Sequence, residues 1–237
     1  MKKTALITGG GRGIGKALAV RAAELNYNLA LAARTLSELE SVAGICAELG
    51  SEVKIYQTDL SRPDEVNELF KRFSTDFCTL DLLINNAGKI VCKPFLETSI
   101  DEWNDSIAVN LTAPFILCFH AFKQMKKQQS GTIINIASRL GLTAYENWSA
   151  YAASKHGLIG LAKVLAAEGL EHGIRIHSIC PGRVNVERVI KEHPEFKKEL
   201  MIEADDIADA MEYLLQLPPQ INVDFISVRT ADEKPVW

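Results

Sequence analysis

The chain has 237 residues, 47% of them hydrophobic, and its 26 basic and 30 acidic side chains leave a net charge of −4. That apolar content fills one substantial core, and α/β folds of about 200–250 residues commonly form one domain, so a single domain over 1–237 is expected. Interleaved charges exclude the basic footprint of a nucleic-acid binder, and no repeat, low-complexity stretch or Gly/Ser/Pro linker divides the chain. In chain order, Thr4–Thr8, Leu29–Ala33, Val53–Gln57, Leu80–Asn85, Thr132–Ala137, Arg175–Ile179 and Asp224–Arg229 read as strands. Helical patterns over Gly13–Leu25, Leu36–Leu49, Pro63–Phe73, Ile100–Met125, Trp148–Leu170 and Asp205–Leu215 lie between them. The apolar runs are nearly continuous, which suits strands buried on both faces. Strand–helix repetition predicts a doubly wound, Rossmann-like parallel sheet of about seven strands with helices on both faces. Ligands in such sheets bind beyond the carboxyl ends of the strands, near the switch in strand order.

After the first strand comes Thr8-Gly9-Gly10-Gly11-Arg12-Gly13-Ile14-Gly15, then a helix. Glycines let a phosphate approach the backbone, and the helix start offers unpaired N–H groups and a partial positive charge. Strand before and helix after supply the context that a glycine-rich run alone lacks, and together they predict dinucleotide binding. A chain selecting the 2′-hydroxyl of NAD places an acid at the end of the second strand. Ala32-Ala33-Arg34 stands there instead. Arg34 is either a solvent-facing charge at the start of a helix or a partner for a 2′-phosphate. With Arg12 as a second cation in the loop, NADP(H) is the expected cofactor.

Tyr151 and Lys155, in Tyr-Ala-Ala-Ser-Lys, lie four apart in a helical segment and leave the same face. A phenol with a pKa of about 10 is a poor acid at neutral pH. A neighbouring ammonium favours the phenolate and makes it usable for proton transfer near pH 7. The same spacing also arises on ordinary solvated helix faces. Ser138, at a strand end, can hydrogen-bond a carbonyl or hydroxyl oxygen. Asn110 occupies a helix interior that asparagine does not favour, which points to a role for its amide or backbone. The five histidines (His120, His156, His172, His177, His193) show no ligand spacing and read as surface or helix-packing residues, so no metal is expected. The five cysteines (Cys46, Cys78, Cys92, Cys118, Cys180) form no Cys-x-x-Cys pair and read as reduced thiols. The apolar run behind Met1-Lys2-Lys3 is too short for a signal peptide or a membrane span, so a soluble cytoplasmic protein is expected.

The glycine loop and Tyr-x-x-x-Lys, with Asn85-Asn86-Ala87-Gly88, Asn110, Ser138 and Pro181-Gly182 in order, resemble the short-chain dehydrogenase/reductase family in its classical branch over roughly residues 4 to 183. The resemblance implies Asn110, Ser138, Tyr151 and Lys155 as catalytic residues, with Lys155 also holding the nicotinamide ribose and Asn110 supporting a water chain to Lys155. It implies cofactor contacts from Thr8, Gly9, Arg12, Gly13, Ile14, Gly15, Arg34, Asn86, Ala87, Gly88, Tyr151, Lys155, Pro181 and Gly182. Asp59 and Leu60 resemble the pair that contacts adenine, although Asp59 also reads as an ordinary turn acid. The reaction implied is hydride transfer between a nicotinamide and a carbonyl or secondary alcohol, Tyr151 exchanging the proton of the substrate oxygen. A homodimer or homotetramer through Ile100–Met125 and Trp148–Leu170 is implied as well, with Leu158, Leu161 and Leu165 serving either core or interface.

The likeness weakens after Pro181-Gly182. Val186 occupies the place where the family often has threonine, and Asn185 is a possible substitute. Residues 184–203 form a short, charged segment (Glu187, Arg188, Lys191, Glu192, Glu195, Lys197, Lys198, Glu199, Glu203) where relatives carry a larger substrate lid, and the usual terminal Asp-Gly-Gly is absent. Arg139, Leu140, Tyr145, Asn147, Trp148, Lys89 and Cys92 are candidates to line the substrate pocket. Two other readings stay open: a 3-oxoacyl reductase of fatty-acid synthesis, and a protein that senses NADP(H) without turnover.

Overall fold

The computed structural model describes residues 2–192 and 198–235. Among them, seven strands form one sheet: β1 (Thr4–Thr8), β2 (Asn28–Ala33), β3 (Val53–Gln57), β4 (Leu82–Asn85), β5 (Gly131–Ile136), β6 (Ile174–Pro181) and β7 (Phe225–Val228). Their order is β3-β2-β1-β4-β5-β6-β7, and every pairing is parallel. The helices are α1 (Gly13–Glu24), α2 (Leu36–Glu48), α3 (Pro63–Asp76), α4 (Ile100–Ile107), α5 (Ala113–Gln128), α6 (Ser149–Gly169), α7 (Glu187–Glu192) and α8 (Ala204–Gln216). The chain steps outward from β1 to β3 and then returns to place β4 on the other side of β1. The cleft beside β1 and β4 is therefore the switch point where ligands gather.

Alternate strand residues feed two cores. Ala5, Ile7, Leu29, Leu31, Leu82 and Ile84 face α1, α2 and α8, meeting Leu18, Ala22, Leu39, Val42, Ile207 and Met211. Leu6, Ala30, Leu83, Ile133 and Ile176 face the other way, onto α3, α5 and α6 through Val66, Leu69, Phe73, Leu117, Ala121 and Ala162. Burial on both faces explains why the strands read as unbroken apolar runs. Each fully buried Leu, Ile or Phe contributes about 1.5–3 kcal/mol relative to exposure. In α3, Pro63 starts the helix, Asp64 and Glu65 fill the first turn, and Val66, Leu69, Phe70 and Phe73 form the buried stripe. In α6, Leu158 is buried, and Leu165, partly buried, packs against the core.

One expected helix is divided. The pattern over Ile100–Met125 becomes α4, a wide π turn over Ala108–Thr112, and α5. The Ala113 N–H reaches back five residues to the Ala108 carbonyl. Pro114 has no N–H to offer the Asn110 carbonyl four residues earlier, so a regular ladder fails at that point. By length and composition the run Ile100–Gln128 is apolar enough to cross a membrane, but Ala113, Leu117, Ala121 and Met125 pack into the core. A capping box at Ser99 and Glu102 fixes the start of α4: Glu102 N donates to Ser99 Oγ (3.1 Å) and Ser99 N to Glu102 Oε2 (3.0 Å).

Other departures are smaller. β4 begins at Leu82, not Leu80, and β6 runs on to Pro181. His177 is neither a surface nor a helix residue. It is fully buried in β6, its Nδ1 2.8 Å from the Val223 carbonyl oxygen. In the 184–203 segment, α7 and the turn at Lys198–Leu200 are described, whereas His193, Glu195 and Lys197 lie outside the described residues.

Candidate active site

The strand ends converge on the switch point because all seven strands run the same way. Thr8, ending β1, ties the glycine loop to the turn after β4. Its Oγ1 accepts from Asn86 N (3.0 Å) and Ala87 N (3.2 Å), and Asn86 Nδ2 donates to the carbonyl oxygens of Thr8 (2.9 Å) and Gly9 (3.3 Å). Gly9 and Gly13 have φ of +65° and +52°, where a side chain is strained. A Cβ at Gly15 would collide with the Gly9 carbonyl. The first turn of α1 holds no acidic residue, and its N-cap, Arg12, makes no side-chain cap hydrogen bond. Backbone donors at that helix start therefore match an anion in geometry and sign.

Arg12 itself pairs with Glu38 of α2 at 3.3 Å in an exposed contact, of the kind worth about 0–1 kcal/mol and readily exchanged for a phosphate. Arg34 is exposed just beyond β2, and its charge helps hold the Asp59 carboxyl below its ordinary range. The larger cause is Ser61: Asp59 Oδ1 accepts from Ser61 N (3.0 Å) and Ser61 Oγ (2.9 Å). Asp59 thus works as a turn acid in this structure. Leu60 beside it is buried.

Lys155 and Tyr151 come together on the inward face of α6. The Lys155 ammonium, 3% exposed, donates to the Ile136 carbonyl at the end of β5 (2.8 Å) and lies 5.7 Å from the centre of the Tyr151 ring. Trp148 meets the same ring edge-on at 5.7 Å. Ser138 follows β5 in extended backbone, and its Oγ accepts from Leu140 N at 3.1 Å. Cys180, in β6, is pushed up to about 12 by burial, opposed by the Lys155 charge and a Ser138 backbone hydrogen bond. β5, β6 and α6 therefore meet at one point.

Asn110 is fully buried. It accepts from Lys89 N (2.8 Å) and donates to Lys89 O (2.8 Å), Ser106 Oγ (3.2 Å) and Ser154 Oγ (3.0 Å). Ser154 in turn donates to the Tyr151 carbonyl (2.7 Å). A chain of hydrogen bonds thus runs from the turn after Gly88 to the first turns of α6. Nothing in the sequence pattern marks Ser106 for a role. The only available signal for Ser154 was its place inside Tyr-Ala-Ala-Ser-Lys.

The expected pocket residues have varied surroundings. Arg139 is 5% exposed and pairs with Glu233 of the C-terminal tail, because a buried guanidinium must find a carboxylate. Asn185 donates to Glu203 Oε1 at the start of α8 (2.8 Å), so its amide is committed there. Val186 packs over Gly13. Tyr145 is exposed, Lys89 pairs with Asp105 at 3.1 Å, and Cys92 is exposed. Pro181 ends β6, and Gly182 N donates to the Val228 carbonyl (2.8 Å).

Comparison with known proteins agrees with this layout. A family model described as short chain dehydrogenase matches residues 3–196. An uncharacterized oxidoreductase of Staphylococcus aureus (strain MRSA252) is 34% identical over 227 residues, covering 96% of each chain. An alcohol dehydrogenase from the archaeon Thermococcus sibiricus, solved with 5-hydroxy-NADP, superposes with a TM-score of 0.89 at 28% identity over 99% of each chain. A metagenomic short-chain oxidoreductase in complex with NADP gives 0.85 at 31% identity over 98% of each chain.

Proposed function

The chain belongs to the short chain dehydrogenase family of oxidoreductases, and from that membership we propose that it transfers hydride between NADP(H) and a small-molecule carbonyl or secondary alcohol. The observation that carries this reading is the buried Lys155 ammonium beside the Tyr151 ring, at the strand ends beyond the glycine loop. NADP(H), when bound, supplies or accepts the hydride. Tyr151 gives or takes the proton at the substrate oxygen, and Lys155 favours its phenolate by charge. Ser138 holds the same oxygen through its hydroxyl. Proton transfer by a positioned group contributes roughly 10²–10⁴-fold.

The residues fit the cofactor. Side-chain-free backbone at the glycine loop and an acid-free helix start suit a pyrophosphate, and Arg34 with Arg12 suits a 2′-phosphate. Two structural neighbours, one solved with NADP and one with 5-hydroxy-NADP, support that choice. Tyr151→Phe is expected to abolish turnover, followed at 340 nm with a panel of ketones, aldehydes and hydroxy compounds, while NADPH affinity persists. A variant that keeps most of its turnover would sink the mechanism. Phe115 and Phe119 on α5 and Val164 on α6 remain exposed and support a homo-oligomer through these helices. A monomer by light scattering at micromolar concentration would contradict that part.

A further inference from the structure

Two arginines immediately follow two segments of the site: Arg139 comes after Ser138, proposed above to hold the substrate oxygen, and Arg183 after Pro181-Gly182, which the family resemblance sets against the cofactor. Both end on one carboxylate. Arg139 Nη1 donates to Glu233 Oε2 at 2.8 Å, and Arg183 Nε and backbone N donate to Glu233 Oε1 at 3.1 and 3.3 Å. Arg139 and the Glu233 side chain are almost out of solvent, at 5% and 11% exposed. Arg139 Nη2 also donates to the Lys234 carbonyl, while its Nε finds no partner among the described residues, so the tail is what neutralises this guanidinium. Arg183 continues outward to Asp232 at 2.6 Å. The carboxylate lies against Gly182 so closely that a Cβ there would collide with it.

We infer that Glu233 is a positioning residue: its carboxylate, shared by Arg139 and Arg183, clamps the Ser138 segment to the Pro181-Gly182 segment and so sets the distance between substrate oxygen and nicotinamide. The inference rests on the oxidoreductase reading above. The C-terminal tail is then a working part of the site. Charge-assisted bonds to a shared carboxylate are directional and strong, and a misplacement of about 1 Å in such a site can cost about 10²-fold in rate.

The test is Glu233→Gln in the full chain, with Glu233→Asp as the charge-keeping variant and Asp232→Asn as a control on the outer arm of Arg183. Glu233→Gln is expected to lower kcat about tenfold and to weaken NADPH severalfold, yet to leave unchanged the affinity for 2′,5′-ADP, which lacks the nicotinamide. Glu233→Asp should recover part of the lost rate, and Asp232→Asn should stay within about twofold of wild type. Wild-type kcat and NADPH affinity in Glu233→Gln would overturn the inference, as would an equal loss of NADPH and 2′,5′-ADP binding. If the wild-type chain itself neither binds NADPH nor turns over, the functional reading fails instead. The clamp is then judged by amide hydrogen exchange of residues 138–142 and 182–184: faster exchange in Glu233→Gln upholds it, and unchanged exchange refutes it.

Discussion

Replacing Asn110 by alanine removes the residue that joins the turn after Gly88 to α6. Its side chain accepts from Lys89 N, and its two amide N–H groups are shared among Lys89 O, Ser106 Oγ and Ser154 Oγ. Counted as three full hydrogen bonds at about 0.5–1.5 kcal/mol net each, they sum to about 1.5–4.5 kcal/mol. The 3.2 Å bond to Ser106 is the weakest by length, and the two serine hydroxyls can rotate to other acceptors. The Lys89 N–H and C=O cannot, and each is left unsatisfied. A loss of about 3 kcal/mol is therefore expected, which for a chain of this size lowers Tm by about 6–12 °C. Urea unfolding followed by tryptophan fluorescence at fixed protein concentration, with calorimetry alongside, measures both. Ser106→Ala, which deletes only the longest bond, should cost under about 1 kcal/mol. If Asn110→Ala costs no more than Ser106→Ala, the network does not hold the turn to α6. The role drawn for Asn110 is then wrong.

Cofactor choice is testable at the end of β2: Ala33→Asp with Arg34→Ala should turn a preference for NADPH into one for NADH, and an unaltered preference would remove Arg34 from the cofactor site. Gly15→Ala should weaken NADPH binding by more than about tenfold, because its Cβ meets the Gly9 carbonyl, which is backbone and cannot swing aside; isothermal titration reads this. Thiol chemistry at pH 8 should modify the exposed Cys78 and Cys92 in the native protein. Cys46, pushed up to about 11 by burial, and Cys118 and Cys180, pushed up to about 12, should react only on unfolding. A third fast thiol counts against the burial described. Burial also lowers the pKa of His177, with the Val223 carbonyl opposing the shift. The unfolded chain takes up this proton below about pH 6.5 while the folded chain resists. Stability should thus fall as pH drops from about 6.5 toward the lowered folded value, and His177→Gln should flatten the slope without abolishing it, since burial shifts His120 the same way.

Much of this protein is decided within short reach along the chain. Strand and helix periods, the glycines at positive φ, and a tyrosine and lysine one helical turn apart depend on backbone sterics over a few residues, so the sheet, the glycine loop and the Tyr151–Lys155 pair were legible as sequence. Asn110 stood out as an ill-suited helix residue, but only folding showed that it grips Lys89 and Ser154, and that Pro114 breaks the ladder beside it. Arg139 read as a pocket residue and Asn185 as a stand-in for threonine. In the fold each donates to a carboxylate: Glu233, 94 positions along the chain, and Glu203, 18 positions along. Sequence alone placed the glycine loop, Ser138, Tyr151 and Lys155 at or beside the strand ends. The tertiary structure decided which charges pair with which, because a buried charge takes the nearest opposite charge in space, and chain order does not encode that distance.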